Sequence, residues 1–220
     1  MSRPPVQRID MAGARLATSA ARVLGVASEA KNGRDRLLDR AIDLFYANGF
    51  HSVGLDNILD AAGVTKTTFY KHFDSLEDLM VAAVERRHQW EGQAWDRAIG
   101  KAAGGDDRAR FTAAFDLMDR WFNEPQFRGC IFINIAAEFP DPANPVHQAA
   151  AAYKRQQRDA WRDLAARLGA ADAEAFADQF AVLIEGTLVL RHVHGRNDAA
   201  RVTRPIAEAL VDRHVPKGAR

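Results

Sequence analysis

The segment from Gly54 to Phe73, GLDNILDAAGVTKTTFYKHF, constrains the fold of this chain more than any other. From Leu55 onward, its first half places apolar side chains at i, i+3, i+4 and i+7, which is helical spacing. Gly63 follows, at a point where a helix commonly ends in a residue that tolerates positive φ. Thr65 then offers a hydroxyl that can cap the next helix. The pattern predicts two short helices joined by a glycine-containing turn, which is a helix-turn-helix.

The second predicted helix carries short polar, basic and phenolic side chains over most of its surface. Only Phe69 and Phe73, four residues apart, are expected to face a core. The remaining side chains suit phosphates and base edges in the DNA major groove. The residues expected nearest the base edges are Lys66, Thr67 and Thr68. The residues expected mainly at phosphates are Thr65, Tyr70, Lys71 and His72.

A further helix is predicted before this motif, from Arg34 to Asn48. Its apolar residues share one face, and Asn48-Gly49 is typical of a helix end. We expect this helix to brace the helix-turn-helix, and we include Arg34 among the DNA-binding residues. The sequence therefore predicts a three-helix DNA-binding domain over residues 33–78.

These residues, in this order, resemble the tetracycline-repressor (TetR) family of bacterial regulators. The resemblance runs from about Arg34 to Leu79, and a weaker similarity covers residues 129–134. One departure is Gly54, where the family usually has a Ser or Thr that caps the helix and touches a phosphate. The matching positions are Gly49-Phe50, Ile58, Ala61-Ala62-Gly63-Val64, Thr65-Lys66 and Thr68-Phe69-Tyr70-Lys71-His72-Phe73.

The resemblance implies a homodimer whose two recognition helices bind successive major grooves of a pseudo-palindromic operator in double-stranded DNA. It also implies that a small hydrophobic or aromatic effector binds among the middle helices, moves the connecting helix and weakens DNA binding. The expected function is therefore a repressor released by its ligand. An activator and a corepressor-dependent regulator stay open. A helical ligand-binding protein or enzyme without operator function also stays open, although no catalytic motif supports the enzyme.

Charge is distributed unevenly along a chain whose formal net charge is only +1. Residues 1–32 carry five basic and two acidic side chains, whereas residues 33–73 carry five of each. Individually placed cations must therefore matter more than bulk attraction to DNA. Residues 1–32 are predicted to be a basic, flexible arm, which is either a simple tail or a segment that follows the DNA backbone.

The remainder of the chain is predicted to be helical, so the fold class is all-α with about nine helices. No segment alternates apolar and polar residues with a period of two, as a half-buried strand would. A helical ligand-binding and dimerisation domain is expected over residues 79–214, followed by a tail at 215–220. The predicted helices run from Ser75 to about Trp95, then over Asp107–Phe122, Phe127–Glu138, Pro145–Leu168, Asp172–Val193 and Ala199–His214.

Aromatic side chains crowd the middle of the chain, where they form either a packed core or the wall of a ligand cavity. In the architecture that the resemblance implies, the cavity lies among the middle helices. The residues predicted to line it are Trp95, Phe115, Met118, Trp121, Phe132 and Asn134.

Two apolar stripes on the last two predicted helices suit a four-helix dimer interface, as the resemblance implies. The alternative is that they close the core of the monomer. The residues predicted for dimerisation are Phe176, Phe180, Ile184, Leu188, Ile206 and Leu210.

Other chemical signals are weak. The single cysteine, Cys130, excludes an internal disulfide and fits a reducing cytoplasm. The apolar residues after it predict burial, which disfavours a redox-sensing role. His192 and His194 would point to different faces of a helix, so no metal site is expected, and no cofactor motif is present. No secretory signal is recognised and no apolar run approaches about 18 residues, so we expect a cytoplasmic protein without a membrane partner.

Overall fold

A computed structural model describes residues 32–216 of the chain, together with residues 20, 23, 24 and 30. These residues form nine helices and no strand, which confirms the predicted all-α class. Almost all of the predicted arm at 1–32 and residues 217–220 of the tail lie outside the described residues. The helices are α1 Gly33–Asn48, α2 Leu55–Ala62, α3 Lys66–Tyr70, α4 Leu76–Ala102, α5 Arg110–Phe122, α6 Ile131–Glu138, α7 Pro145–Arg167, α8 Ala173–His194 and α9 Ala199–His214.

The first three helices pack around a small apolar core. α1 starts after Asn32, whose side-chain oxygen accepts a hydrogen bond from the backbone N–H of Asp35 at 2.9 Å. One face of α1 is buried against α2, α3 and α4. The side chains that fill this core are almost fully buried, and they include Leu37, Leu38, Phe45, Phe50, Ile58 and Phe69.

α4 is the longest helix and joins this domain to the rest of the chain. Ser75 caps it by accepting a hydrogen bond from the backbone N–H of Asp78 at 3.0 Å. The helix ends at Ala102, one and a half to two turns beyond the predicted end, because its buried stripe continues through Ala94 and Ile99. α4 packs against α1 on one side and against α5 and α7 on the other. It is therefore the main physical connection between the two parts of the molecule.

The larger domain contains α5 to α9 and the second half of α4. α7 and α8 lie against each other, α9 packs on both α5 and α8, and α6 packs on α7. An aromatic cluster joins three of these helices, since Phe111 of α5 lies near Trp161 of α7 and near Phe176 and Phe180 of α8. This cluster forms the center of the second core.

Two helices start three or four residues later than predicted, and local hydrogen bonding explains one of these differences directly. Asp106 accepts hydrogen bonds from the backbone N–H groups of Arg108 and Ala109, which makes a turn before α5. α6 starts only at Ile131 because Gly129, with φ of 86°, lies outside the helical region.

Four residues predicted for dimerisation are core residues of the monomer. Phe176 and Phe180 are fully buried, and Ile184 and Leu188 are about 95% buried, so all four pack inside the monomer rather than on an open surface. This stripe was predicted because α8 is apolar on more than one face. Of the other two predicted residues, Ile206 is 56% exposed and Leu210 is partly buried.

Candidate DNA-binding surface and ligand cavity

The turn between α2 and α3 adopts the geometry that its sequence predicts. Gly63 ends α2 in the left-handed region, with φ 63° and ψ 42°. The backbone N–H of Val64 donates to the carbonyl oxygen of Leu59 at 3.1 Å, which satisfies one of the last carbonyls of α2. The chain therefore turns sharply into α3 without straining a residue that has a side chain.

Two phenylalanines on the buried side of α3 fix its orientation. Phe69 is fully buried and Phe73 is 6% exposed, and their ring centroids are 5.7 Å apart. At the start of the helix, Thr65 Oγ1 accepts a hydrogen bond from the backbone N–H of Thr68 at 3.2 Å. The opposite side of α3 consequently faces solvent.

Seven of the eight predicted DNA-binding residues are exposed, and the structure brings all eight together around α3. Thr68 is the half-buried one, because α1 approaches closely: a Cβ atom on Gly33 would lie 3.3 Å from Thr68 Cγ2. We call the exposed set the recognition face. Its members are Arg34, Thr65, Lys66, Thr67, Tyr70, Lys71 and His72.

The first turn of α1 places two arginines beside the helix-turn-helix. The guanidinium carbon of Arg34 lies 5.4 Å from the centroid of the Phe73 ring, which holds this cation near the end of α3. Arg36 Nε donates to the carbonyl oxygen of Ala62 at 3.2 Å and thereby caps α2. No local sequence pattern indicates this structural role of Arg36.

The missing hydroxyl at Gly54 is replaced in part by Asn57. Asn57 Oδ1 accepts a hydrogen bond from the backbone N–H of Gly54 at 3.1 Å, which closes the first turn of α2 from its other side. Gly54 itself adds no side-chain contact toward a phosphate.

Ion pairs attach α4 to α1. Arg86 Nη1 lies 2.6 Å from Asp35 Oδ1, and Arg86 Nε lies 3.1 Å from Asp39 Oδ1. Near them, burial raises the pKa of the Asp43 carboxyl group to about 7, although Arg40 and Arg87 act to lower it. The joint between the two domains therefore contains a carboxyl group that titrates near neutral pH.

A cavity of about 480 Å³ lies between α4, α5, α7 and α8. Its size is within the range of small-molecule sites. Most of its lining is apolar or aromatic, while charged and amide side chains of α4, α5 and α7 supply the polar groups. The lining residues from the core are Trp95, Ile99, Ala114, Met118, Trp121, Cys130, Tyr153, Trp161, Leu164, Ile184 and Leu188.

Three of the six predicted cavity residues line this cavity, namely Trp95, Met118 and Trp121. The other three have different contacts. Phe115 packs edge-to-face on Phe180, with ring centroids 5.8 Å apart. Phe132 stacks on Tyr153, with centroids 3.8 Å apart. Asn134 Nδ2 donates to the carbonyl oxygen of Arg128 at 2.9 Å. The predictions for Phe115, Phe132 and Asn134 are therefore not supported for this cavity.

The cavity wall also contains charged groups that were not predicted from the sequence. Glu91 is 4% exposed, pairs with Arg87 and accepts a hydrogen bond from Trp95 Nε1 at 3.2 Å. Lys154 Nζ lies 2.8 Å from Glu185 Oε1. The i, i+4 spacing of Arg87, Glu91 and Trp95, which extends the buried stripe of α4, was the available signal.

Cys130 lines this cavity, but its thiol is expected to react slowly. It is 7% exposed, and burial raises the pKa of its thiol, with Lys154 acting in the opposite direction. A raised pKa keeps the sulfur in the less reactive thiol form.

A separate apolar face on α8 and α9 is open to solvent. Its side chains recur at helical spacing on each helix. The hydroxyls of Thr187 and Thr203 lie 2.9 Å apart between the two helices and help to hold them side by side. We call this the α8–α9 apolar face, and its large members are Val182, Val189, Val193, Val202 and Ile206.

The fold and the recognition face define a helix-turn-helix DNA-binding protein with an attached helical domain. Comparison with known proteins gives the family. Residues 37–83 match the family model described as bacterial regulatory proteins, tetR family, and residues 108–207 match the tetracyclin repressor-like C-terminal domain. The chain belongs to the TetR family of transcriptional regulators, whose members are regulators rather than enzymes.

Solved structures agree with this assignment. A TetR-family transcriptional regulator from Streptomyces coelicolor is 30% identical and superimposes with a TM-score of 0.71 over 83% of this chain and 95% of its own. NemR of Escherichia coli, in its reduced form, has a TM-score of 0.71 at 20% identity, over 86% of this chain and 99% of its own, and shows the shared fold.

The curated relatives match different lengths of this chain. The transcriptional activator FasR of Mycolicibacterium smegmatis is 42% identical over 53 residues, which is 24% of each chain. The transcriptional repressor NemR of Escherichia coli is 27% identical over 117 residues, or 53% of this chain and 58% of that protein. Matches to the first three relatives span only 24% to 49% of their own length.

One structural finding bears on membranes. In the part of the chain that the structure describes, no helix combines the length and apolar character needed to cross a bilayer.

Proposed function

We propose that this chain is a homodimeric repressor that acts in the cytoplasm and leaves its operator when a small hydrophobic or aromatic compound occupies the cavity. The observation that carries the proposal is the recognition face, where exposed basic and hydroxyl groups stand on a helix fixed by Phe69 and Phe73. Such a face suits phosphates and base edges together. It is small, so one copy supplies few base contacts, and two copies on one operator give useful specificity.

DNA binding is tested first on DNA from upstream of the protein's own coding region. The full chain should retard this fragment in an electrophoretic shift and leave an unrelated fragment of equal length unbound at the same salt concentration. The two fragments control for the sequence-independent attraction of any basic surface to phosphate. Equal retardation of both fragments would contradict specific operator binding at this site.

The α8–α9 apolar face supports a dimer. Its valines and isoleucine are exposed on two adjacent helices, and Val182 and Val193 are each at least 70% exposed. Clustered apolar side chains on a protein surface commonly mark an interface. A second copy of the same face can cover them through a two-fold axis, which gives a bundle of four helices.

Sedimentation of matched variants tests this interface. Ile206→Asp places a charge in the middle of the face and should convert the dimer into a monomer. Ala166→Asp adds the same charge at an exposed position on α7 and should leave the dimer intact. A dimeric Ile206→Asp protein would contradict the proposed interface.

The cavity supports an effector that is largely apolar. Trp95, Met118 and Trp121 line it from two helices, and two of its charged lining groups, Glu91 and Lys154, already have partners. Apolar contacts should therefore contribute most of the affinity of a compound, and an unpaired charge on the compound should weaken its binding. Binding must favor the conformation that releases DNA, because equal affinity for both conformations would shift nothing.

Calorimetry and thermal unfolding across a set of aromatic compounds test the cavity. A compound that binds should raise the unfolding temperature and also lower operator affinity. Trp121→Ala should weaken its binding, and Phe115→Ala should affect it less because Phe115 lies on the Phe180 side. Binding without any effect on operator affinity would contradict the proposed release.

A transcriptional activator is the second candidate, and the similarity of 53 residues to the activator FasR, at 42% identity, favors it. A reporter gene placed behind the operator distinguishes the two. Deletion of the regulator raises expression if it is a repressor and lowers expression if it is an activator.

A further inference from the structure

The carboxyl end of α6, in the larger domain, is hydrogen-bonded to the loop between α1 and α2. Glu138 Oε2 accepts hydrogen bonds from two backbone N–H groups of that loop, from Phe50 at 2.8 Å and from His51 at 3.0 Å. The ring nitrogen Nε2 of His51 lies 2.9 Å from the carbonyl oxygen of Glu138. We call this set of three hydrogen bonds the Glu138 clasp. It links residues 87 and 88 positions apart and joins the two domains without passing through α4.

The clasp is tightly packed. Gly49 precedes it with φ of 85°, and a Cβ atom there would lie only 3.3 Å from Glu138 Oε1. The Phe139 ring lies 4.7 Å from the His51 ring and 5.9 Å from the Phe50 ring, measured between centroids. A carboxylate that accepts two converging backbone N–H groups forms short, directional bonds. The loop is therefore held at one distance and one angle.

The segment just before the amino end of α6 is attached to α1 of the DNA-binding domain. The Tyr46 hydroxyl of α1 donates to the carbonyl oxygen of Gly129 at 3.1 Å and accepts from the backbone N–H of Arg128 at 2.9 Å. Both ends of α6 thus meet the last turn of α1 or the loop that follows it. Two separate attachments resist rotation in a way that a single attachment cannot.

We propose that Glu138 is a positioning residue for operator binding, which fixes the angle of the DNA-binding domain against the larger domain. The loop that it holds leads directly into α2, and α2 carries α3 through the Gly63 turn. The angle of this loop therefore determines where the recognition face of each subunit points. In a dimer it determines the distance between the two faces, so this inference rests on the proposed dimeric operator binding.

α6 also touches the cavity. Cys130, which immediately precedes α6, lines the cavity, and Phe132 of α6 stacks on Tyr153, another lining residue. A compound that moves these side chains displaces α6 and hence Glu138. This path to the DNA-binding domain runs beside the path through α4.

The test uses operators that differ only in the distance between half-sites. Full-length protein first selects its operator from a library of random DNA, and spacers are then shortened or lengthened by one and two base pairs. Operator affinity is measured over this series for the parent, Glu138→Ala, Glu138→Gln and the control Glu174→Ala. Glu174 is an exposed carboxylate at the start of α8 that pairs with Arg158 and Arg162. Thermal unfolding of each protein is recorded in parallel.

The parent and Glu174→Ala should discriminate sharply between spacers. Glu138→Ala should bind the best operator about fivefold or more weakly and should lose most of this discrimination, because the recognition faces are no longer held at one distance. Glu138→Gln keeps one acceptor oxygen and should fall between the two. A Glu138→Ala protein with the spacer preference of the parent would overturn the assignment, whatever its unfolding temperature. If Glu138→Ala does not fold, a Glu138→Gln protein with the spacer preference and operator affinity of the parent would overturn it.

Failure of the proposed function gives a different result. If the parent protein selects no DNA with two half-sites, dimeric operator binding is wrong and this assignment fails with it. If the parent selects such DNA and the Glu138 variants keep its spacer preference, only the role of Glu138 is wrong.

Discussion

The recognition face and the cavity differ in how their side chains contribute to folding. The recognition face consists of exposed side chains that stand on a separate apolar core. Apart from the Thr65 cap and the contact of Arg34 with Phe73, these side chains can contact DNA without taking part in folding. The cavity is enclosed by side chains that are also part of a core, such as Trp121, Ile184 and Leu188. Binding and stability are therefore separable at the first site and joined at the second. Variants with matched controls can test that difference.

The largest effect is expected for Phe69→Ala, which removes the fully buried support of α3. Such a truncation costs about 3–5 kcal/mol of stability. Tyr70→Ala, at the next position, removes a side chain that is 56% exposed and should change the free energy of unfolding by less than about 0.5 kcal/mol. Tyr70→Ala should nevertheless weaken operator binding. Chemical denaturation and DNA titration of both variants measure this contrast, and equal stability losses would contradict it.

A slightly smaller loss, about 3 kcal/mol, is expected for Glu91→Gln at the cavity. This change removes the Glu91 carboxylate charge from its short contact with the buried Arg87 guanidinium. Glu208→Gln breaks an i, i+4 pair with the same residue types on α9, where both side chains are more than a third exposed, and should cost less than about 1 kcal/mol. Urea denaturation gives both values. If Glu91→Gln is as mild as Glu208→Gln, the cavity wall does not have the structural role assigned to it.

The next effect is expected from Asp43→Asn, which should stabilise the protein by an amount that grows as the pH rises from about 4 to about 7. Because burial raises the Asp43 pKa to about 7 in the folded protein, from 3.8 as the ordinary value, the folded state favors the neutral acid. This contribution to stability is complete below about pH 4 and is lost as the pH rises through 7. The variant should therefore match the parent near pH 4 and exceed it at pH 8. Denaturation at both pH values checks the prediction, and a gain that is equal at both would refute it.

The smallest effect on folding is expected for Lys71→Ala on the recognition face. It should leave the unfolding free energy nearly unchanged, weaken binding to all DNA sequences and lower the slope of log affinity against log salt by about one. Lys101→Ala removes an exposed lysine near the end of α4 and should leave the slope unchanged. A Lys71→Ala protein with the parental slope would remove Lys71 from the DNA contacts.

Local sequence patterns predicted the helices well because each depends on neighboring residues. The bounds of α2 and α9 match the expected ones, and the position of α3 follows from Gly63, Thr65 and the two phenylalanines around one turn. The exposure of Lys71 and His72 follows from the same periodicity.

Contacts between distant segments could not be predicted in this way. α8 is apolar on several faces, so its sequence does not tell which stripe turns inward, and Phe176 and Phe180 pack inside the monomer. The sequence also did not predict which side of α6 faces Tyr153. The partners of Glu138 lie 87 and 88 residues earlier in the chain, so no local pattern indicates them.

Coupling between the cavity and the recognition face can be measured by reciprocal binding. For a compound that lowers operator affinity, its own affinity is measured by calorimetry with the free protein and with the protein saturated by operator. Linkage requires the compound to bind the DNA complex more weakly, by the same factor by which it weakens DNA binding. We expect equal factors. Equal affinity of the compound for the free and the DNA-bound protein would contradict the coupling.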